Sequence, residues 1–502
     1  MKSWNVLGVV LILAASLAGP VMAKEKNSPA TKDNGTFYSG GFTREGNAIT
    51  LSGSSKSVAG PPMSDVVVVV KEGDSIQAAV QNAEPGTTIR VMPGIYRETV
   101  YIDKDGIRLI GVIKEGERAI LDGEGKLNDA ILYSGNNVVV ENFTITRYKG
   151  NGIMSQAGNN WEIRNNLIID TGVYGIFPQL GKNGVIEHNV VSGIEDAAIY
   201  VGMSDNVHVA YNVVFDSVAG IEIENSRHAI VEANHVYNNA GGILAFITPG
   251  LPIKTTFDVI IRNNFITANN HVNFAAPGST VAGIPSGTGI LVMAADDVVI
   301  EGNIIRDNKN AGIIITDHGN ADNITVDPDS DPNSDRVKIL NNTMLNNGYD
   351  AIGMIKAYML TELKTGHPDI VRIGPTTGSC ILNPGRYVTV GVSDFTECDF
   401  HSTSNIDNYL LAPVPPREIS AQDRGKIAYL GICAGCHAYT GRLIGPPVQV
   451  IQALYMNNAK GLAEYIAKPT KKRSDYPEMP PQNYLDEETR LAVAQYMLEL
   501  KN

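Results

Sequence analysis

An asparagine that returns every two dozen residues constrains this chain more than any other feature. Val138-Val139-Val140-Glu141-Asn142 is followed by Glu162-Ile163-Arg164-Asn165-Asn166, Val185-Ile186-Glu187-His188-Asn189, Val207-His208-Val209-Ala210-Tyr211-Asn212 and Ile230-Val231-Glu232-Ala233-Asn234. The closing Asn recurs at intervals of 24, 23, 23 and 22, then at Asn264, Asn303 and Asn342 after insertions near 248–288 and 317–337. A second landmark travels with it, at Gly152-Ile153, Gly175-Ile176, Ala198-Ile199, Gly220-Ile221, Gly242-Ile243, Gly289-Ile290 and Gly312-Ile313. Each unit holds short β-branched runs cut by Asn and Gly. Strands that short cannot bury a face alone, but stacked coils with strands about 4.8 Å apart can. An Asn at each coil's turn would form a hydrogen-bonded ladder along the stack. The period therefore predicts a parallel β-helix over 65–405. A leucine-rich repeat has an overlapping period but requires an L-x-x-L-x-L frame that these units lack. A short helix at Ser75–Val80 is expected to cap the first coil and cover its open edge.

The 502 residues suggest two domains, and 43% apolar with 19% charged residues is ordinary for a folded chain. A net charge of −13 argues against a nucleic-acid partner, and against an anionic polysaccharide unless a basic patch or metal intervenes. Residues 1–23 carry Lys2, an apolar run from Val6 to Leu17, and Val21-Met22-Ala23. That pattern predicts a cleaved export signal, hence a periplasmic or secreted protein, the alternative being an uncleaved anchor. No Cys follows Ala23, so no lipid anchor is indicated, and no later stretch is apolar enough to span a membrane. Residues 24–64 are polar and expected to be flexible. The Pro-stiffened segment 406–420 reads as a linker to a final domain, 421–502.

That final domain contains Cys433-Ala434-Gly435-Cys436-His437, the C-x-x-C-H spacing that attaches haem through two thiols and puts an imidazole under the iron. A zinc or redox C-x-x-C reading is disfavoured, since neither a second pair nor a downstream His is present. Gly425, Tyr429 and Cys433 are spaced by four and would share a helix face, with Gly425 admitting a second helix over Glu487–Leu500 through Leu491, Ala494, Tyr496 and Leu498. The carbonyls of Gly445-Pro446-Pro447 could accept from the other ring N–H of His437. Of Met456, Met479 and Met497, Met456 and Met497 sit in helical patterns suited to packing, whereas Met479 lies in the stiff loop Pro477-Glu478-Met479-Pro480-Pro481. Met479 is the preferred sixth ligand, with water or a β-helix residue as alternatives. The stretch 421–502 resembles the class I c-type cytochromes. The resemblance implies a small all-α domain, one covalent haem c ligated by His437 and Met479, one-electron transfer, and a redox partner protein in the cell envelope. The remaining pair, Cys380 and Cys398, is expected to form a disulfide in an exported protein, the alternative being two free thiols.

Stacking the coils on the Gly-Ile landmark aligns Met154, Phe177, Tyr200, Glu222 and Leu244 in one outward row, and Gln156, Gln179, Gly202, Glu224 and Phe246 in the next. Tyr200, Glu222 and Glu224 would meet on an exposed sheet, with Gly202 leaving space beside Glu224, Asp196 upstream, and Asn225, Arg227 and His228 downstream. Paired carboxyls beside an aromatic suit sugar recognition, acid/base work on sugars, or a metal. The competing reading is a solvated polar face. Gly220-Ile221-Glu222-Ile223-Glu224-Asn225-Ser226 and Gly241-Gly242-Ile243-Leu244 resemble an uncharacterised family of exported parallel β-helix repeat proteins over roughly 73–360. That family is similar to carbohydrate-binding and sugar-hydrolase β-helices, a group that includes the periplasmic protein assisting copper-site assembly in nitrous oxide reductase. The resemblance implies right-handed winding and no particular activity. Tyr174-Gly175-Ile176-Phe177-Pro178-Gln179 is similar to the Y-G-x-D-P-H motif of alginate epimerases, but Phe177 and Gln179 replace its Asp and His, so epimerase chemistry is not expected.

Asp327, Asp329, Asp331, Asn333 and Asp335 space oxygens by two, as a calcium loop would, but lack its Gly and distal Glu. A solvated acidic insertion is the preferred reading. Asp317-His318 is assigned nothing, and His271 a structural role. Two functions follow. One is an exported electron-transfer protein whose β-helix is a docking or polysaccharide-binding platform. The other is a polysaccharide-active lyase or hydrolase, with the haem as an accessory redox module.

Overall fold

The computed structural model describes residues 41–45, 48–52, 64–155, 157–321, 324, 327–399, 403, 423–473 and 475–501. The expected export signal and the linker, 406–420, lie outside them. Part of the segment expected to be flexible is an antiparallel hairpin, Gly41–Glu45 paired with Ala48–Ser52.

Residues 67–397 wind into a parallel β-helix whose described strands form a 13-stranded, an 11-stranded and a 10-stranded sheet. Each sheet runs the length of the stack, because consecutive coils contribute one strand to each. The Gly-Ile landmark sets the register of the 11-stranded sheet: Ile153 pairs with Ile176, Ile176 with Ile199, Ile199 with Ile221, Ile221 with Ile243, Ile243 with Ile290, and Ile290 with Ile313. All seven isoleucines are fully buried. Each contributes about 2–3 kcal/mol of burial, which the isolated coil could not obtain. The preceding small residue is a matter of clearance. A Cβ on Gly175 would lie 2.5 Å from Ala198 O, and one on Gly242 2.3 Å from Gly289 O.

The asparagine ladder is present and fully paired. Asn166 Nδ2 donates to Asn189 Oδ1 at 3.0 Å, Asn189 to Asn212 at 3.0 Å, Asn212 to Asn234 at 3.0 Å, Asn234 to Asn264 at 3.0 Å, Asn264 to Asn303 at 3.0 Å and Asn303 to Asn342 at 2.9 Å. Each Nδ2 also reaches a backbone carbonyl; that of Asn212 donates to Ile186 O at 3.0 Å. Buried amides are stable inside a core only when satisfied in this way. The 24-residue first interval was one residue out of phase. Asn142 takes the left-handed turn position, φ 69°, alongside Asn165, His188 and Tyr211, and Phe143 occupies the ladder row. A second ladder, Asn239–Asn269–Asn308–Asn347 with links of 3.0, 3.1 and 3.0 Å, runs five residues behind the first and was not anticipated.

The first coil is closed by α1 (Ile76–Asn82), capped by Ser75 Oγ accepting from Ala78 N, with Ile76 and Val80 buried. Near the other end α2 (Gly353–Thr361) leaves the stack, an element the repeat gave no sign of. The 248–288 interruption is two loops, since a regular coil with strands Phe257–Arg262 and Phe265–Thr267 lies between them. Cys380 and Cys398 are joined by a disulfide with Cα atoms 5.0 Å apart, at one end of a buried cluster that runs through Leu340, Val299 and Ile260 to Ile230. Cys398→Ser should lower unfolding stability by about 3 kcal/mol, the loop-closure value for a short loop. Denaturant unfolding with and without reductant checks this: the reduced parent should match the variant.

Residues 423–501 form a helical unit: α3 (Arg424–Ala428), a π-helical turn over Tyr429–Cys433, α4 (Val448–Leu454), α5 (Ala459–Ala467) and α6 (Glu487–Glu499). Its core joins Cys433, Val448, Leu462, Val493, Ala494 and Met497. The regular i, i+4 face expected across Gly425, Tyr429 and Cys433 is interrupted by the π turn, where Ala434 N donates to Tyr429 O. Tyr429 and Cys433 are nonetheless both buried. No described helix is long and apolar enough to cross a membrane.

Candidate functional site

The outward rows of the 11-stranded sheet assemble as the spacing implies. Tyr200 pairs with Glu222 and Gly202 with Glu224 on neighbouring strands. Their environment is different from the expected exposed sheet: Tyr200 is 5% exposed, Glu222 1% and Glu224 6%. Apolar side chains and covering segments enclose this face, so it is not a solvated polar surface. The room beside Gly202 is also taken. A Cβ there would lie 2.2 Å from Tyr200 Cε1, so the tyrosine ring lies over the glycine.

Tyr174, Phe177 and Tyr200 form a three-ring cluster with centroids 4.5, 4.7 and 4.6 Å apart. Beneath it sit the half-buried Asp196 and the buried Glu222 and Glu224. The downstream basic residues do not neutralise them. Arg227 donates to Asp205 Oδ2 at 2.6 Å, and His228 Nδ1 lies 3.2 Å from Asp258. Asn225 Nδ2 is spent on the carbonyls of Thr248 and Ile253. Burial therefore drives the carboxyls upward. Asp196 is pushed up to about 8, first by burial and then by the charge of Glu224. Glu222 is raised well above the carboxylate range by burial and by Asp196 and Glu224. Glu224 is raised by burial, partly offset by the Thr248 and Tyr200 hydroxyls. Glu222 Oε1 has no hydrogen-bond partner among the described residues. The shifts of Asp196 and Glu222 favour the protonated form near neutrality, which is the state a proton donor to a substrate oxygen needs.

The helical unit is seated on the same sheet, through the loop carrying Cys433-Ala434-Gly435-Cys436-His437. Gln179 Nε2 donates to Gly431 O. Its Oε1 would be 3.9 Å from a Cβ on Gly435. Tyr484 packs with Tyr101 and Tyr174 against the outward row at Leu132, Met154 and Phe177. The thiol of Cys436 is pushed up to about 11 by burial and by Asp129, itself held by Asn151 N at 2.9 Å. Burial pushes Cys433 to about 12. These two thiols are not bridged to each other. Sequence reasoning placed Gln179 in an outward row but gave it no role, and it missed Asp129 and Tyr484. Only the fold brings those residues, far apart in the chain, to one seam.

Within the helical unit, His437 Nδ1 donates to Pro446 O at 2.8 Å, as the Gly-Pro-Pro turn predicts, leaving Nε2 for another partner. Burial lowers the ring's pKa, partly offset by the hydrogen bond to Pro446 O, and so favours the neutral form. Tyr429 hydroxyl donates to His437 O at 2.9 Å. Met479 is half-buried against the core that holds Cys433. Met497 is buried in that core, whereas Met456, expected to pack, is 71% exposed.

The acidic insertion does not converge on a cation. Asp327 Oδ2 takes Lys254 Nζ at 2.7 Å and Gly250 N at 2.8 Å. Burial alone would raise Asp327, but those donors and Asp329 N–H hold it at about 2. Asp331 Oδ1 accepts from Asn333 N, and Asp335 Oδ1 from Thr377 N, in separate turns. The calcium reading has no common centre to rest on. His318 Nε2 meets Ile247 O at 2.9 Å, and His271 Nδ1 meets Val272 O at 2.8 Å.

A family model described as "Right handed beta helix region" matches residues 126–253 and 247–395, more than half of the chain. No curated protein matches. Solved structures with some likeness include the A-module of mannuronan C-5 epimerase AlgE6 from Azotobacter vinelandii, at 16% identity and TM-score 0.43, covering 61% of this chain and 81% of that one. They also include an alginate lyase from Paenibacillus sp. str. FPU-7, at 15% identity and TM-score 0.43, covering 58% and 100%. A third is DFA-IIIase from Arthrobacter chlorophenolicus A6 in complex with GF2, at 12% identity and TM-score 0.42, covering 67% and 97%. Likenesses this distant say nothing about what the present chain acts on.

Proposed function

The chain belongs to the right-handed β-helix family, and on that premise we propose that it is an exported haem protein whose β-helix seats its own c-type cytochrome unit. The observation that carries this reading is the Cys433–His437 loop. Two unbridged thiols flank a histidine whose Nδ1 is anchored by Pro446 O, and the loop is pinned to the β-helix by Gln179. The donor set fits haem c: Cys433 and Cys436 for the thioether links, His437 Nε2 and Met479 for the iron. Bound there, the haem supplies reversible one-electron transfer, with His/Met ligation favouring a high potential. The chain's own residues orient His437 through Pro446 O and bury Cys433, Ala434 and His437, leaving Cys436 half-buried. The platform expected for a separate protein is thus partly used within the chain, and the external redox partner would meet the outer side of the helical unit.

The test is direct. Protein purified from the cell envelope should have lost residues 1–23, be coloured, carry the mass of one haem, and give a low-spin reduced spectrum. Met479→Ala should abolish the weak near-infrared thioether band while leaving the haem attached. Colourless protein of unmodified mass overturns the reading.

A second reading, a polysaccharide-active β-helix, is favoured by one observation: the half-buried Asp196 and the buried Glu222 and Glu224, all raised by burial, lie together on the sheet that carries Tyr200, without a cationic partner among the described residues. A carboxyl kept protonated near neutrality can protonate a glycosidic oxygen. A glycan-binding and turnover screen of the full chain, with Glu222→Gln and Glu224→Gln beside it, tests this. Turnover lost in both variants supports an enzyme; glycan activity unchanged in both removes the site.

A further inference from the structure

The packing of α2 does not match its composition. Its residues read Gly-Met-Ile-Lys-Ala-Tyr-Met-Leu-Thr, apolar on every side but for one lysine, yet only Ile355 is buried. A helix apolar all round is at home inside a core or against lipid. Here Ile352, its N-cap residue, and Met354 are exposed, and Leu360 near its end is 70% exposed. The turn that follows goes further. Leu363 has φ 51°, the left-handed region where helix ends ordinarily place glycine, and it is 89% exposed. A bulky side chain there strains the backbone, and within the chain this one buries almost nothing in return.

A neighbouring loop adds to the same tip. Asn270 Nδ2 donates to Tyr349 Oη at 3.2 Å, just ahead of α2. Lys309 N donates to Asn270 Oδ1 at 2.8 Å, and Lys309 O accepts from Asp350 N at 2.8 Å. Asn273 Nδ2 donates to Val281 O at 2.8 Å and Ile284 O at 3.0 Å, in the turn facing the start of α2. Held there, the loop presents Val272, 73% exposed, and the exposed Phe274. Lys356 and Lys364 stand exposed among these side chains. Glu362 is turned back, accepting from Gly391 N at 3.2 Å.

Shape and charge together select the partner. Leu363 and Val272 stand almost clear of their neighbours, so the tip is convex. Two copies of a convex tip bury little of each other, which disfavours a second chain meeting this one through it. Lipid takes in protruding apolar side chains without a matching pocket, and interleaved lysines meet anionic headgroups. The helix is too short to span, so contact stays in the interface. The net charge of −13 repels an anionic surface at long range, so attachment depends on these few side chains and is reversible. We propose that the tip formed by α2, Leu363 and the Val272–Phe274 loop inserts into the headgroup layer of an anionic lipid membrane. The proposal is independent of the haem and of any glycan activity.

Protein purified from the cell envelope and freed of lipid should co-sediment with extruded vesicles of equal phosphatidylglycerol and phosphatidylcholine. Leu363→Gly suits the left-handed turn, so its thermal unfolding should be no lower than the parent's, yet it should bind these vesicles about tenfold more weakly. Opposite responses of stability and binding separate membrane contact from a structural role. Leu360→Ser added to Leu363→Gly should abolish measurable co-sedimentation, and both positions are exposed enough for the chain to fold. Lys356→Gln with Lys364→Gln should weaken binding about thirtyfold, the worth of two lysines at an anionic surface. A parent that does not co-sediment, or co-sedimentation unchanged in the Leu360→Ser, Leu363→Gly chain, overturns the proposal. So does a parent dimer, seen by sedimentation velocity without vesicles, that the same two substitutions dissociate, since the tip would then belong to a second copy.

Discussion

Raising the pH from about 4 to about 8 should destabilise the folded protein, and Glu222→Gln should recover part of the loss. The sign follows from where the protons sit. In the unfolded chain Asp196, Glu222 and Glu224 release their protons near pH 4. In the folded chain burial holds them on, Asp196 up to about 8. Between those values the folded state binds more protons than the unfolded state, so stability declines as pH rises and levels off above the folded values. Groups shifted the other way act in a different window. Glu232, which burial would raise, is held at about 2 by His208 and Arg262; Asp327 is held at about 2 by Lys254 and backbone donors. Their stabilisation is complete once the pH exceeds the unfolded value and is lost only in stronger acid. Asp129, Glu162, Asp258, Asp296 and Asp369, also raised by burial, add to the decline, while His235 and His437, lowered by burial, oppose it, so the variant rather than the parent's curve isolates the cluster. Glu222→Gln keeps the shape, removes one group that cannot ionise cheaply, and lessens repulsion on Asp196. Chemical unfolding of parent and variant across that range should give converging stabilities at the acid end and a more stable variant at the alkaline end. A variant no more stable than the parent at the alkaline end would mean that Glu222 does not hold its proton in the folded state.

The stack itself was readable because identical residues recur where identical geometry recurs. Ile153 to Ile313 lie in one inward column, and Asn166 to Asn342 in one ladder, because each coil repeats the same backbone path. The second ladder was equally visible in principle, as Asn239, Asn269, Asn308 and Asn347 stand five residues after members of the first. The burial of Tyr200, Glu222 and Glu224 was not readable. Periodicity says which way a side chain leaves the coil, but not what lies over it. Here segments from outside the repeat join the apolar cluster that holds Tyr200, among them Tyr484 of the helical unit and Val281 and Ile284. Contacts such as Gln179 to Gly431 link positions with no shared local pattern. The helical unit is the reverse case. Its motif spans five residues and its Gly-Pro turn follows at once, so the His437–Pro446 contact was legible from spacing alone.

Gly425→Val should undo the helical unit and leave the β-helix standing. α3 crosses α6 at this glycine, and an added Cβ would lie 2.3 Å from Ala492 O and 2.7 Å from Ala492 C. The obstacle is backbone in the middle of a helix, so a side-chain rotation cannot relieve it. α6 must move away, and its other contacts go with it. Tyr496 leaves Tyr429, with ring centroids now 5.4 Å apart, and Val493 and Ala494 leave the core shared with Cys433. Overpacking at such a crossing costs about 3 kcal/mol, a large share of what a unit this small has available. Gly441→Val is the matched control, since nothing lies within 4 Å of the Cβ it would add. Limited proteolysis should cut the Gly425→Val chain within 423–501 while sparing the sheets, whose ladders and Ile columns do not depend on α6; Gly441→Val should resist like the parent. If haem is attached as proposed, its yield should fall in the first variant and not in the second, because Tyr429 and Cys433 are held in place by the helix that has moved. Equal protease resistance in the two variants would mean that the α3–α6 crossing does not hold the attachment loop against the β-helix.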